Sequence, residues 1–256
     1  MSLLSSFTID QLNCEVYDSR SSMGAEAAEQ VAAKIRELQS RRDEVNIIFA
    51  AAPSQNEFLA GLLGADGIDW GGINAFHMDE YIGLTPGAPQ GFGEFLRERL
   101  FSRAAFKSVS YIDGNAADIG AECGRYARLL GAYPPDIVCM GVGENGHIAF
   151  NDPHAALFND PEAVKVVELD EKCRMQQVND GCFDSIENVP THAVTLTIPA
   201  LMRGKAIFCV VPARSKAWAV RDTLRGEISG RCPASVLRTH ADARLYLDQD
   251  SAGLLR

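Results

Sequence analysis

Residues 137–140, Ile-Val-Cys-Met, form an apolar run of strand length that opens directly onto glycines at 141, 143 and 146. A short apolar run bounded by turn residues reads as a buried strand. The glycines mark backbone that turns tightly or lies close to something. Glu144, Asn145, His147, Asn151 and Asp152 then follow as a dense polar cluster. Open α/β sheets bind ligands outside the carboxyl ends of their strands. This strand and loop therefore predict both a fold class and the place of its chemistry.

Gly141-Val142-Gly143-Glu144-Asn145-Gly146 fits the G-x-G-x-x-G dinucleotide pattern. That pattern needs a helix opening on the third glycine, so that amide groups meet a pyrophosphate. Here the third glycine runs into His-Ile-Ala-Phe-Asn-Asp-Pro, and Pro153 opposes a helix through the segment. The strand also lies late in the chain. A nicotinamide or flavin site is not expected.

The rest of the chain alternates apolar strand-like runs with helical patterns. Strands are expected at 14–17 (a short edge strand), 45–51, 73–78, 109–112, 164–169, 193–196, 206–211 and 244–247. Helices are expected at 24–38, from Ser54 to 63, at 92–101, 116–130 and 215–225, with a polar segment at 170–180. Ser54 and Glu57 have capping-box spacing. This alternation indicates βαβ units. The expected fold is α/β: a doubly wound, mainly parallel, Rossmann-like sheet with helices on both faces, in one domain over residues 1–256.

With 256 residues, 46% of them hydrophobic, such a domain can bury a substantial core. A formal charge of −10 disfavours nucleic acid and anionic membranes as partners but leaves an anionic small molecule open. Seven cysteines without C-x-x-C pairs suit reduced, mostly buried thiols in a cytoplasmic protein. Neither a signal peptide nor a spanning segment is expected. A homo-oligomer is left open.

Four strand ends carry residues able to do chemistry. After the run at 45–51 comes Pro53-Ser54-Gln55-Asn56-Glu57, where a helix start could hold an anion. After 73–78 come Asp79 and Glu80, one of which could act as a general base, whereas His77 reads as structural. The central loop places His147 among carboxamides and carboxylates, a setting for proton transfer near neutral pH. Arg214 and Lys216 follow the run at 206–211 and could neutralise a phosphate. His77, His147, Asp79 and Asp152 could meet around an ion, but no spacing demands it, and no metal is expected.

Phe76-His77-Met78-Asp79-Glu80-Tyr81-Ile82-Gly83-Leu84 resembles the F-x-M-D-E-Y-x-G-L segment of glucosamine-6-phosphate deaminases, and residues 141–153 resemble their G-x-G-x-[DN]-G-H-I-x-F-N-E-P segment. Residues 189–196 and 215–217 look like later segments of the same family, so the resemblance covers nearly the whole chain. The related 6-phosphogluconolactonases share the fold but differ in the Gly-His loop. The resemblance implies conversion of glucosamine 6-phosphate and water to fructose 6-phosphate and ammonia, without a cofactor. By motif position, Asp79 would move the C2 proton to C1, and His147 would assist ring opening. Asn145 and Asp152 would orient His147, and Lys216 would contact phosphate. Ser54, Gln55, Glu80, Gly146 and Arg174 complete the expected substrate-binding set. Alternatives are a sugar-phosphate sensor with weakened catalysis and a phosphosugar lactonase.

Three departures from the family pattern stand out. Its glycine- and threonine-rich T-G-G-T-P loop is replaced by Ala-Ala-Ala-Pro-Ser-Gln-Asn-Glu. The acid after Phe-Asn is Asp152, where glutamate is usual. In the R-x-x-N-S-R-F-F segment Arg174 matches the first arginine, but the second, which touches phosphate in the family, has no clear counterpart.

Overall fold

The structure, a computed structural model, describes residues 2–255. Its strands are β1 (Leu3–Ile9), β2 (Leu12–Tyr17), β3 (Val45–Phe49), β4 (Ile73–His77), β5 (Asp79–Tyr81), β6 (Ser108–Ser110), β7 (Ile137–Met140), β8 (Val164–Glu168), β9 (His192–Leu196), β10 (Ala206–Val211) and β11 (Ala243–Asp248). The helices are α1 (Arg20–Gln39), α2 (Asn56–Leu63), α3 (Phe92–Leu96), α4 (Ile119–Ala132), α5 (Glu171–Asn179), α6 (Ile198–Leu201) and α7 (Ala217–Arg225).

Eight strands form one sheet in the order β1-β2-β11-β10-β7-β3-β4-β6. Every neighbouring pair is parallel except β1 with β2. From β3 the chain steps outward to β4 and β6. It then returns to β7 on the other side of β3 and steps outward to β10 and β11. The seam between β3 and β7 is a topological switch point, the place where such sheets open a crevice for ligands.

Helices cover both faces, which explains the uninterrupted apolar strands. All six residues of β10 are buried. Ala206, Phe208 and Val210 pack with Val31, Ile35, Phe58 and Leu62 of α1 and α2. Ile207, Cys209 and Val211 face the opposite way, toward Tyr126, Leu130, Val220 and Leu224 of α4 and α7. α1 is capped by Ser19, whose hydroxyl accepts from the Ser22 amide at 3.2 Å. No described helix is long and apolar enough to cross a membrane.

Several local expectations need correction. The strand expected at 14–17 is not an edge, because β1 pairs outside it through a hairpin turning at Asp10, which has φ 53°. The β1 residues Leu3 and Leu4 are exposed, so no hydrophobic alternation marks the strand. The runs at 164–169 and 193–196 do not join the main sheet. They form β8 and β9 of a second, antiparallel sheet ordered β5-β9-β8. The polar segment at 170–180 is largely the helix α5, capped by the Asp170 carboxylate accepting from Cys173 N at 2.8 Å. The capping box at Ser54 does not form. Pro53 opens a 3-10 turn over Pro53–Gln55, leaving extended backbone at Ala52 and placing Ser54 inside the turn. Glu57 turns instead to Arg20, with Arg20 Nε 2.8 Å from Glu57 Oε2.

Candidate active site

One cavity lies where the carboxyl ends of β3, β4, β7 and β10 converge. It is lined by Ala50–Ala52, Ser54 and Gln55 after β3, by Met78 and Asp79 after β4, and by Gly141–Gly143 and His147 after β7. Lys216, after β10, and Gln176 and Gln177 of α5 complete its polar lining. Residues far apart in sequence thus meet at the switch point.

Asp79 is the first residue of β5, which continues β4 after Met78. The Met78 carbonyl accepts from Leu196 N at 2.8 Å, tying this junction to β9. Asp79 is 6% exposed, and its Oδ1 is buried without a hydrogen-bond donor. Burial raises its pKa well above the usual carboxylate range, and the neighbouring Glu80 charge adds to the rise. A buried acceptor with no donor and a high proton affinity is suited to receive a proton from a bound molecule.

Glu80 points elsewhere. Its carboxylate accepts from the amides of Tyr81, Phe92 and Gly93 at 2.9, 3.0 and 2.8 Å, fastening β5 to the start of α3. Burial raises its pKa against the opposing pull of those amides. His77 is locked as a neutral ring. Ile112 N donates to its Nε2 at 2.9 Å, so its Nδ1 carries the proton and donates to the Asp79 carbonyl, also at 2.9 Å. Burial lowers its pKa to about 4.

The loop after β7 holds His147 against Asp152. His147 Nδ1 lies 3.1 Å from Asp152 Oδ1, though the N–H direction is too bent for a full hydrogen bond. Asn145 Nδ2 donates to the same oxygen at 2.9 Å, while Asn145 Oδ1 accepts from His147 N at 3.0 Å. Asp170 N donates to Asp152 Oδ2 at 3.1 Å. Burial acts to raise the Asp152 pKa, but the His147 ring, the Asn145 amide and the Asp170 N–H together lower it. With Nδ1 turned to the carboxylate, Nε2 is the ring nitrogen left for the cavity. No helix opens at Gly146, where Ile148 instead bridges to Asn151. Gly146 has φ 86° and backs onto Cys232, whose Sγ would lie 2.7 Å from an added Cβ.

Lys216 is 5% exposed and makes no salt bridge among the described residues. Burial lowers its pKa, and the Asp180 and Glu144 charges work against that fall. The turn that delivers it begins at Ala213, which has φ 81° and ψ 147°, and whose N–H donates to both Asp248 oxygens at 3.2 and 3.0 Å. That backbone region is costly for any residue with a Cβ. Ala213→Gly is therefore expected to raise stability by about 1 kcal/mol, the strain relieved exceeding the added chain entropy. A drop in thermal midpoint would contradict this.

Of the expected binding residues, Ser54, Gln55 and Lys216 reach the cavity with Asp79 and His147, while Glu80, Gly146 and Arg174 do not line it. Arg174 donates instead to the carbonyls of Ile186 and Val189 at 2.6 and 3.0 Å, closing the segment after α5. Two polar lining residues, Gln176 and Gln177, lie outside the expected set. Gln176 accepts from Glu144 N at 2.8 Å, and Gln177 is 6% exposed. Cys173, Gln176 and Gln177 stand at i, i+3 and i+4, the one buried stripe of an otherwise polar helix. That spacing was the available signal.

The family profile "Glucosamine-6-phosphate isomerases/6-phosphogluconolactonase" matches residues 18–246. The chain belongs to this family. A glucosamine-6-phosphate deaminase of Listeria monocytogenes serotype 4a (strain HCC23) is 37% identical over 212 residues, covering 83% of this chain and 88% of the relative. One from Bacillus cereus (strain B4264) is 38% identical over 187 residues, covering 73% and 70%. Among solved structures, a monomeric glucosamine-6-phosphate deaminase superposes with a TM-score of 0.85 at 30% identity, covering 94% of this chain and 99% of that one. A 6-phosphogluconolactonase from Thermotoga maritima superposes with a TM-score of 0.76 at 19% identity, covering 93% and 99%, and shares the fold.

Proposed function

We propose that this chain is a cytoplasmic amino-sugar phosphate deaminase of amino-sugar catabolism, taking glucosamine 6-phosphate and water to fructose 6-phosphate and ammonia. The carrying observation is that Asp79, the His147–Asp152 pair, Ser54 and Lys216 come together at one cavity or directly behind it. His147 relays the anomeric hydroxyl proton to the ring oxygen, which opens the pyranose. The open aldehyde makes the C2 proton acidic. Asp79 takes that proton and returns it at C1 while a nitrogen proton passes to O1, giving a C2 imine to which water adds, forming the ketone and releasing ammonia as the C–N bond breaks. Proton transfer drives both the breaking of the ring C–O bond and the shift of hydrogen from C2 to C1, so the reaction calls for a positioned base and a positioned acid before water adds and the C–N bond breaks.

Ser54 and Lys216 hold the phosphate, with Gln55 and Gln177 as neutral amides beside it. Ammonia release from a panel of hexosamine 6-phosphates tests the reading, and a wild type that binds phosphosugars yet turns over none of them overturns it. Lys216→Ala is expected to weaken binding of the phosphosugar by about 10–100-fold, the worth of a charge-assisted hydrogen bond. The unphosphorylated sugar should be nearly unaffected. Equal weakening of both would place Lys216 away from the phosphate.

A further inference from the structure

Behind His147, on the side away from the cavity, three potential metal donors of different chemistry meet. A ring nitrogen of His147, a carboxylate oxygen of Asp152 and Cys173 Sγ all lie within 4.8 Å of one another, and all three residues are buried; Nδ1 is the ring nitrogen beside the carboxylate, 3.1 Å from Asp152 Oδ1. Two elements bring them together: the loop after β7 supplies the imidazole and the carboxylate, and the first turn of α5 supplies the thiol. The His147 Nδ1 is buried without a proper hydrogen bond, although an Asp152 oxygen stands 3.1 Å away. That nitrogen is poorly used by the protein alone.

We propose that His147, Asp152 and Cys173 form a binding site for zinc or a zinc-like divalent cation, and that its occupancy inhibits the enzyme. Nitrogen, carboxylate oxygen and thiolate are the donors zinc takes, with bonds of about 2.0–2.3 Å. Tetrahedral ligands on such bonds stand about 3–4 Å apart, so the His147–Asp152 pair at 3.1 Å already has that spacing and only the thiol needs to draw in, by at most about 1 Å. The fourth position stays open to water. On binding, the Cys173 thiol loses its proton to solvent and a zinc–sulfur bond forms, with no change in oxidation state. His147 must present the Nδ1 lone pair to the ion, which forces its remaining proton onto Nε2. The nitrogen that faces the cavity then has no free lone pair and cannot accept the anomeric proton. The metal site stands on geometry alone, whereas the inhibition rests on the ring-opening role given to His147 above.

Two measurements separate those layers. Cobalt(II) added to the wild-type protein should produce a thiolate-to-cobalt charge-transfer band in the near ultraviolet, displaced by zinc and absent from Cys173→Ser. The band needs no turnover, so it tests the site even if no substrate is accepted. Its absence from wild type, or its persistence in the serine variant, overturns the site. Zinc should reversibly inhibit ammonia release by the wild type, with chelation restoring it. Cys173→Ser, which keeps size and a hydrogen-bond donor, should turn over normally but require at least about tenfold more zinc. A wild type that shows the cobalt band but is insensitive to zinc would retain the site and refute the inhibitory consequence.

Discussion

Asp79→Asn is expected to yield a protein that binds phosphosugar, turns over about 10²–10⁴-fold more slowly, and is more stable than the wild type at neutral pH. The amide is nearly isosteric but cannot accept the C2 proton. The stability gain follows from the direction of the pKa shift. Burial raises the folded-state pKa of Asp79 well above its usual value, so the folded protein favours the protonated acid. Its stabilising contribution is complete below the unfolded-state pKa, about 3.9, and is lost as pH rises through the folded value. Asparagine is neutral at every pH and escapes that loss. The difference in thermal midpoint between variant and wild type should therefore be large at neutral pH and shrink toward acid. The same shift makes wild-type turnover rise with pH through a range above that of an ordinary carboxylate, since the base acts deprotonated. Solvent deuterium still entering at C2 in the variant would remove Asp79 from this role. A variant no more stable at neutral pH would show the carboxylate to be well solvated.

A single methyl at Gly143 is expected to cost about 100-fold in turnover. An added Cβ would stand 2.2 Å from Cε1 and from Nε2 of His147 and 2.4 Å from Nδ1. No such contact is tolerated, and Gly143 is not among the positive-φ glycines, so the obstacle is the ring and not the backbone. His147 must move, and if it opens the ring as proposed, displacing it by about 1 Å costs a factor of that order. Phosphosugar binding should suffer far less, because Ser54 and Lys216 belong to other loops. Gly131→Ala is a suitable control. Its added methyl meets nothing within 4 Å, and the alanine should favour α4 by about 0.5–1 kcal/mol. Equal turnover by Gly143→Ala and wild type would show that the ring can be moved without consequence.

Much of the candidate site's lining could be read from the chain because its parts sit where periodicity breaks. Asp79 and His147 each follow an apolar run, and polar residues at the end of a buried strand belong outside the core. The close approach of Gly143 to a ring four residues later was not legible beyond the presence of glycine. The capping pattern at Ser54 misled, because Pro53 moved the start of the turn and Arg20, from the beginning of α1, took Glu57. Gln176 and Gln177 escaped notice because α5 is polar on most of its surface, and only three of its nine residues are buried. Arg174 matched a family position, yet its guanidinium is occupied by two backbone carbonyls.

The sequence by itself determined the alternation of buried strands and amphipathic helices, and with it a doubly wound sheet whose candidate site lies at the carboxyl ends of its strands. It did so because burial on both faces requires continuous apolar strands, a local property of the chain. Tertiary structure decided strand order and the separation of β5, β9 and β8 into their own sheet. It also decided which polar groups were left without partners. Those outcomes depend on contacts between residues tens of positions apart. The donor from Leu196 to the Met78 carbonyl, which fixes the junction beside Asp79, lies more than a hundred residues away along the chain. No local pattern encodes such a partner, so the free oxygen of Asp79 and the meeting of Cys173 with His147 became visible only in the folded chain.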